Sequence, residues 1–88
     1  MAEDRVRFTA RVYVRPRPEV LDPQGEALSR ALRALGFPVD GVRVGKLIQL
    51  QLEAADRRDA EGRLRAMCEQ LLANPVIEDY QWELSPCG

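Results

Sequence analysis

Apolar and polar residues alternate from Arg5 to Arg15. A period of two residues is typical of a strand with one face on a core, so we predict a strand here. Pro16 and Pro18 end it, because proline cannot donate a hydrogen bond to the ladder. The residues predicted to face the core are Val6, Phe8, Ala10, Val12 and Val14.

Two helices are predicted from apolar residues spaced three and four apart. The first begins at Asp22-Pro23, where an aspartate can cap the free amides and a proline suits the first helical position. Gly36 suits the left-handed residue that closes such a helix. The second helix begins at Asp56 and ends at Asn74-Pro75. The predicted buried stripes are Leu28, Ala31, Leu32 and Leu35 in the first helix, and Ala60, Leu64, Met67, Cys68, Leu71 and Leu72 in the second.

Two further strands are predicted, over residues 42–53 and 76–84. In the middle region one parity is shared by Val42, Val44, Ile48, Leu50 and Leu52. A two-residue hairpin at Gly45-Lys46 would move the last three of these to the opposite face, so the parity favours one long strand, bent or bulged at Gly45. A hairpin with another loop length stays open. In the last strand one face carries Tyr80, Trp82 and Leu84.

The element order is therefore β-α-β-α-β, with the middle strand either single or split. Both helices are expected to bury their stripes on the same apolar sheet face. This predicts an α+β fold, a two-layer sandwich with an antiparallel-rich sheet, close to the ferredoxin-like β-α-β-β-α-β order. Residues 1–88 are expected to form a single domain, with residues 85–88 as a frayed tail.

Composition and charge narrow the function. A chain of 88 residues buries only about 60% of its unfolded surface, which makes it marginal alone and favours oligomerisation. A net charge of −1 and a pI of about 5.4 argue against nucleic-acid binding. The chain has no long apolar run, and its two cysteines match no metal or redox spacing. We therefore expect a cytoplasmic protein with reduced thiols and no contact with membranes.

The residues needed for catalysis are sparse. The chain has no histidine, which is the commonest general base and metal ligand. It has neither a phosphate-binding loop nor a dinucleotide fingerprint. The carboxylate pair Asp56/Asp59 suits a helix start, and Glu78/Asp79 would point to opposite faces of a strand. We predict no catalytic, cofactor-binding or metal site in this chain, and no activity from the chain alone.

Four blocks of the sequence together carry a resemblance that no single block would: Val20–Gly25 (VLDPQG), Leu35-Gly36, Val42–Ile48 (VRVGKLI), and Met67-Cys68 with Leu71–Tyr80 (LLANPVIEDY). In order and spacing they resemble the PurS family, the small subunit of phosphoribosylformylglycinamidine synthase, across nearly the whole chain. The arginine-rich first strand and the short Ser85–Gly88 tail depart from the family pattern but lie outside the blocks.

This resemblance implies a non-catalytic accessory subunit of purine biosynthesis. In the family, a glutaminase subunit releases ammonia and a large ATP-dependent synthetase subunit uses it to form the amidine. The small subunit is expected to assemble as a homodimer or higher symmetric oligomer, to contact both partners and to assist ammonia transfer. ATP and magnesium would act on the large subunit.

Four residues are candidates for contact with these partners. Gln24, Arg43 and Lys46 lie inside the family-like blocks, and no local backbone rule demands their residue types. Arg15 is the fourth, because it stands directly before the Pro16 turn.

Two other functions fit the same element order. The first is a small-molecule-binding regulatory module of the ACT type. The second is an RNA-binding domain, which needs exposed aromatic residues on its sheet for base stacking. Tyr13 is the only aromatic residue predicted on the polar face, so the RNA-binding alternative is disfavoured.

Overall fold

The structure is a computed structural model that describes residues 5–87. Its elements follow the predicted order. The strands are β1 (Val6–Pro16), β2 (Lys46–Ala54) and β3 (Glu78–Pro86), and the helices are α1 (Pro23–Ala34) and α2 (Arg57–Met67), with a π-helical turn at Cys68–Leu72 after α2. The three strands form an antiparallel sheet in the order β2-β1-β3. This confirms the α+β class.

The register of the sheet confirms the alternation read in β1. Phe8 lies opposite Leu52, and Val12 lies between Ile48 and Trp82. Directly paired residues point to the same side of a sheet, so one side is apolar except for Lys46 and Glu78 at one end. The other side is polar, and there the Tyr13 hydroxyl donates to Glu83 at 3.1 Å.

The middle region forms a single strand and not a hairpin, but the ladder begins at Lys46 instead of the predicted Val42. Gly45 lies so close to β1 that a Cβ there would meet the carbonyl oxygen of Val14. Val42 and Val44 therefore precede the sheet, and the four-stranded ferredoxin-like arrangement is not reached in the described residues.

The core lies between the apolar sheet face and α2. Ala60, Leu64 and Cys68 are fully buried, as predicted. Leu71 was predicted to be buried with them, but it is 82% exposed. The cause is the π-helical turn, in which the Ala73 amide bonds the Cys68 carbonyl at 3.0 Å. This extra residue per turn shifts the helical phase, so Ala73 enters the core and Leu71 leaves it.

Both ends of α1 are formed as predicted. The Asp22 side chain accepts a hydrogen bond from the Gly25 amide at 3.0 Å. At the other end Gly36 has a φ of 96°, a conformation that glycine adopts without a Cβ clash. The Phe37 amide then bonds the Leu32 carbonyl at 2.9 Å and closes the last turn.

The prediction that α1 packs on the sheet is wrong. Among the described residues none of the core cluster comes from α1, and Leu28 and Leu35 are 44% and 73% exposed. Because β1 and β2 are antiparallel neighbours, Pro16 and Lys46 lie at one end of the sheet, and α1 extends beyond that end. The radius of gyration is 17.2 Å, against about 12 Å for a compact chain of this length. We call residues 22–45 the arm.

The frayed tail predicted from Ser85 is also wrong for the residues described. β3 continues through Pro86, which lies opposite Phe8. The Cys87 amide donates to the Arg7 carbonyl at 2.8 Å, and its sulfur lies 2.9 Å from the Thr9 hydroxyl. β1 is long enough for its first residues to pair with residues 85–87. Gly88 lies outside the described residues.

Candidate functional site: a partner-contact surface

Asp22 holds the base of the arm. Its carboxylate is buried and accepts hydrogen bonds from the amides of Gly25, at 3.0 Å, and Val44, at 2.8 Å. These two bonds, with a smaller contribution from the Arg43 charge, lower the pKa of Asp22. The helix cap was predicted from the sequence. The bond to Val44 was not, because local capping rules say nothing about a partner 22 residues away.

Arg43 holds the turn that follows β1. Its Nη2 donates to the carbonyls of Arg17, at 2.6 Å, and Val20, at 3.2 Å. The expectation that no backbone requirement fixes Arg43 is therefore wrong. Arg43 and Arg15 also line one depression of about 310 Å³, together with Asp79. The structure thus brings two of the four candidate residues together.

Lys46 and Gln24 are exposed and do not line that depression. Lys46 opens β2 opposite Val14, so it stands on the apolar side of the sheet at the end nearest the arm. Gln24 lies in the first turn of α1, and in the described part of the chain no hydrogen bond joins it to the other three candidates. The role of all four residues in partner contact stays a prediction.

Arg17 is a structural contact that the sequence pattern did not indicate. Its Nη2 donates to the Pro75 carbonyl, and its backbone amide donates to the Ile77 carbonyl at 2.9 Å. The Arg17 Nε lies 3.7 Å from the Asp79 carboxylate. These contacts join the turn after β1 to the turn before β3, and no short sequence motif announces such a pairing.

Two exposed apolar surfaces accompany these polar residues. We call Leu28, Leu32, Leu35 and Phe37 the arm stripe, of which Leu35 and Phe37 are 73% and 54% exposed. We call Leu71, Val76 and Ile77 the turn patch. The Leu71 and Val76 side chains are 82% and 80% exposed. Exposed apolar residues that cluster in this way mark interaction surfaces.

The two titratable groups nearest the core are held in their protonated forms. Burial, with a smaller effect of Glu69, raises the pKa of the Cys68 thiol. The Tyr80 hydroxyl donates to Glu69 at 2.5 Å, which raises the pKa of Tyr80 to about 12. A protonated thiol is a poor nucleophile, so neither group is prepared for catalysis.

Comparison with known proteins decides between the sequence-based interpretations. Residues 9–86 match the PurS family model, described as phosphoribosylformylglycinamidine (FGAM) synthase. The chain belongs to the PurS family. The PurS subunit of this synthase from Synechocystis is 47% identical over 97% of this chain and 92% of its own length. Family membership confirms the resemblance, and it favours a PurS function over the ACT-type alternative.

Solved structures agree with this assignment. The structure of PurS from Bacillus subtilis superposes with a TM-score of 0.80 at 44% identity, covering 89% of this chain and 98% of that one. A chain in the structure of PurLQS from Thermotoga maritima gives a TM-score of 0.80 at 39% identity, covering 92% and 98%. PurS proteins are thus subunits of FGAM synthase in purine biosynthesis, and one of them has been seen inside a complex.

Proposed function

We propose that this PurS-family chain is a non-catalytic subunit of an FGAM synthase complex in the cytoplasm. It joins the glutaminase subunit to the large ATP-dependent synthetase subunit and assists ammonia transfer, while ATP and magnesium act on the large subunit. The observation that carries the proposal is the projecting arm with its exposed stripe. An apolar surface that the chain does not cover itself is a surface for assembly.

The arm stripe is proposed to meet a second copy of this chain. The apolar side of the sheet is also incompletely covered, since Ile48 and Leu50 are only partly buried. Arg43 ties the base of the arm to the turn after β1, and the bond from the Val44 amide to Asp22 joins the two ends of the arm to each other. These contacts keep the arm stripe at the end of the sheet and away from this surface. The arm stripe and this side of the sheet are therefore both uncovered in one molecule, and a symmetric pair would cover both at once.

The turn patch and the Arg15–Arg43 depression are then left for the other subunits. The turn patch lies in the family-like block LLANPVIEDY. Arg17 bonds the turn before β3 to the turn after β1, and the depression lies beside the turn after β1. Apolar side chains beside arginines are the composition expected at a protein interface. We assign this combined surface to the large synthetase subunit.

Reconstitution tests this function. A mixture of the large and glutaminase subunits should synthesise FGAM from glutamine only when the purified chain is added. When ammonium replaces glutamine, the rate of synthesis should be nearly the same with and without the chain. The chain alone should neither hydrolyse glutamine nor consume ATP. Either activity persisting through its purification, or full glutamine-dependent synthesis without it, contradicts the proposal.

A further inference from the structure

A cavity of about 430 Å³ lies between α1 and residues 41–43. The helix contributes Glu26, Ser29, Arg30 and Arg33, and Arg43 lies on the other side. At 3.6 residues per turn, these helical residues lie on roughly the opposite side of α1 from Leu28 and Leu35. A second copy seated on the arm stripe would leave the cavity open, so it is separate from the proposed dimer contact.

The cavity is rich in positive charge. Three guanidinium groups line it against the single carboxylate of Glu26. The closest approach of Arg30 to that carboxylate is 3.8 Å, which is beyond hydrogen-bond distance. One carboxylate at that distance cannot satisfy three guanidinium groups.

Two of these arginines are already positioned by hydrogen bonds to backbone carbonyls. Arg33 donates from Nε to the Val39 carbonyl at 3.2 Å, and Arg43 donates from Nη2 to the carbonyls of Arg17 and Val20. Since a guanidinium has five N–H donors, each keeps further donors for another acceptor. Donors that are already positioned lose less freedom when they bind an anion.

Ser29 provides a second and independent observation. It is only 6% exposed, and its hydroxyl has no hydrogen-bond partner among residues 5–87. A buried hydroxyl without a partner is unfavourable, so such groups usually have an acceptor. Ser29 is one of the residues that line the cavity, so a rotation about its χ1 angle would bring the hydroxyl to an oxygen of a ligand bound beside Arg30 and Arg33.

We propose that this cavity binds a phosphate group, either as inorganic phosphate or as a small phosphate monoester. A tetrahedral phosphate offers enough oxygens to accept from several guanidinium groups and from the Ser29 hydroxyl together, whereas a carboxylate offers two. The site is a ligand site on the subunit and does not depend on the role proposed for the arm stripe.

Amide NMR of the purified chain, titrated with inorganic phosphate at constant ionic strength, tests the proposal. We expect saturable shifts at the amides of Ser29, Gly41 and Val42, with sodium chloride alone giving none. Glycerol phosphate in a parallel titration shows whether a monoester binds better than the free ion. R30Q/R33Q should bind at least about tenfold more weakly, because two charge-assisted contacts are lost.

The matched control is R11Q/R58Q, which changes the net charge equally at two exposed arginines for which the described residues show no ion pair. It should keep the wild-type affinity. Equal weakening in both variants, or no saturable shift at the three amides, overturns the proposal. Sedimentation of R30Q/R33Q should match wild type, which separates a failure of this site from a failure of the dimer.

Ser29→Ala keeps the charge and tests the cavity if R30Q/R33Q does not fold. It should bind phosphate several-fold more weakly while its melting temperature without ligand stays equal or rises, because the unpaired hydroxyl is gone. Unchanged phosphate affinity in this variant also overturns the proposal.

Discussion

Leu64 and Leu71 differ in burial because the helix that carries them becomes irregular between the two positions. Both belong to one apolar stripe in the sequence, and spacing alone gives them the same role. In the structure Leu64 is fully buried and Leu71 is 82% exposed. Spacing rules assume a regular helix, and the π-helical turn that begins at Cys68 breaks that assumption. No residue type in this segment requires the turn, so the sequence could not have revealed it.

These two positions should therefore respond differently to truncation. Leu64→Ala removes buried methyl groups and leaves a cavity, so it should lower the free energy of unfolding by about 2–5 kcal/mol. Leu71→Ala should change it by less than about 0.5 kcal/mol. Urea unfolding followed by circular dichroism measures both. Similar losses in the two variants would show that the helix stays regular through Leu71.

Asp22 should make part of the stability depend on pH. Its pKa in the folded chain lies below the ordinary 3.8, so folding favours the charged form. Its contribution is complete above the ordinary pKa and is lost as the pH falls through the lower, folded value. Asp22→Asn can still cap the helix but cannot titrate. Its free energy of unfolding should therefore fall less than that of wild type when the pH is lowered from about 5 to about 3.

Unfolding of both proteins in urea at about pH 6, 4 and 3 measures this difference. Asp56→Asn is the control, because Asp56 also caps a helix but is exposed, and among residues 5–87 its side chain accepts a bond only from the Asp59 amide in its own helix. The assignment fails if Asp22→Asn follows the wild-type acid profile throughout.

At the scale of elements, most of the local structure was predictable. Asp22, Gly36 and Asp56 each act within a few residues of their own position, so capping rules find them. The faces of β1 and β3 follow from alternation. The surface that covers α1 was not predictable. An apolar stripe indicates that one face of a helix is buried, but it does not identify the surface that buries this face. The predicted partner of this stripe was the chain's own sheet, but the structure leaves the stripe exposed.

The arm stripe leads to a test of the proposed assembly. L28S/L35S removes two large apolar contacts from a surface outside the core, so each monomer should stay folded while the dimer dissociates. Sedimentation velocity at tens of micromolar should show wild type as a dimer or larger and the variant as a monomer. Circular dichroism of the variant and of wild type diluted until it is monomeric should show the same helix content.

Leu71→Ser is the matched control, since it replaces a leucine of similar exposure on the turn patch. We expect it to sediment as wild type. A dimer that survives L28S/L35S but dissociates in Leu71→Ser would move the self-contact from the arm to the turn patch.

At the scale of the whole molecule, the structure is a short sheet with one helix on it and an arm 24 residues long beside it. The long dimension is 59 Å, against 28 and 14 Å for the others. Such a shape buries little surface within itself and presents much of it to other chains. This agrees with a family whose members are subunits.

The candidate residues can now be divided by what they do in the isolated chain. Arg43 holds a turn, so its loss would weaken the fold and blur any effect on assembly. Arg15, Gln24 and Lys46 are exposed, and the described residues show no side-chain hydrogen bond from them. The triple alanine variant of these three should therefore melt within a few degrees of wild type.

That variant should associate more weakly with the large subunit and so lower glutamine-dependent FGAM synthesis several-fold. Synthesis from added ammonium should hardly change, because free ammonia does not need transfer between subunits. R11A/R58A, which removes two exposed charges that do not line the depression, should keep full activity with glutamine. If the triple variant also keeps full activity, these residues do not contact a partner. If ammonium-dependent synthesis falls equally, the defect lies in the synthetase reaction and not in ammonia transfer.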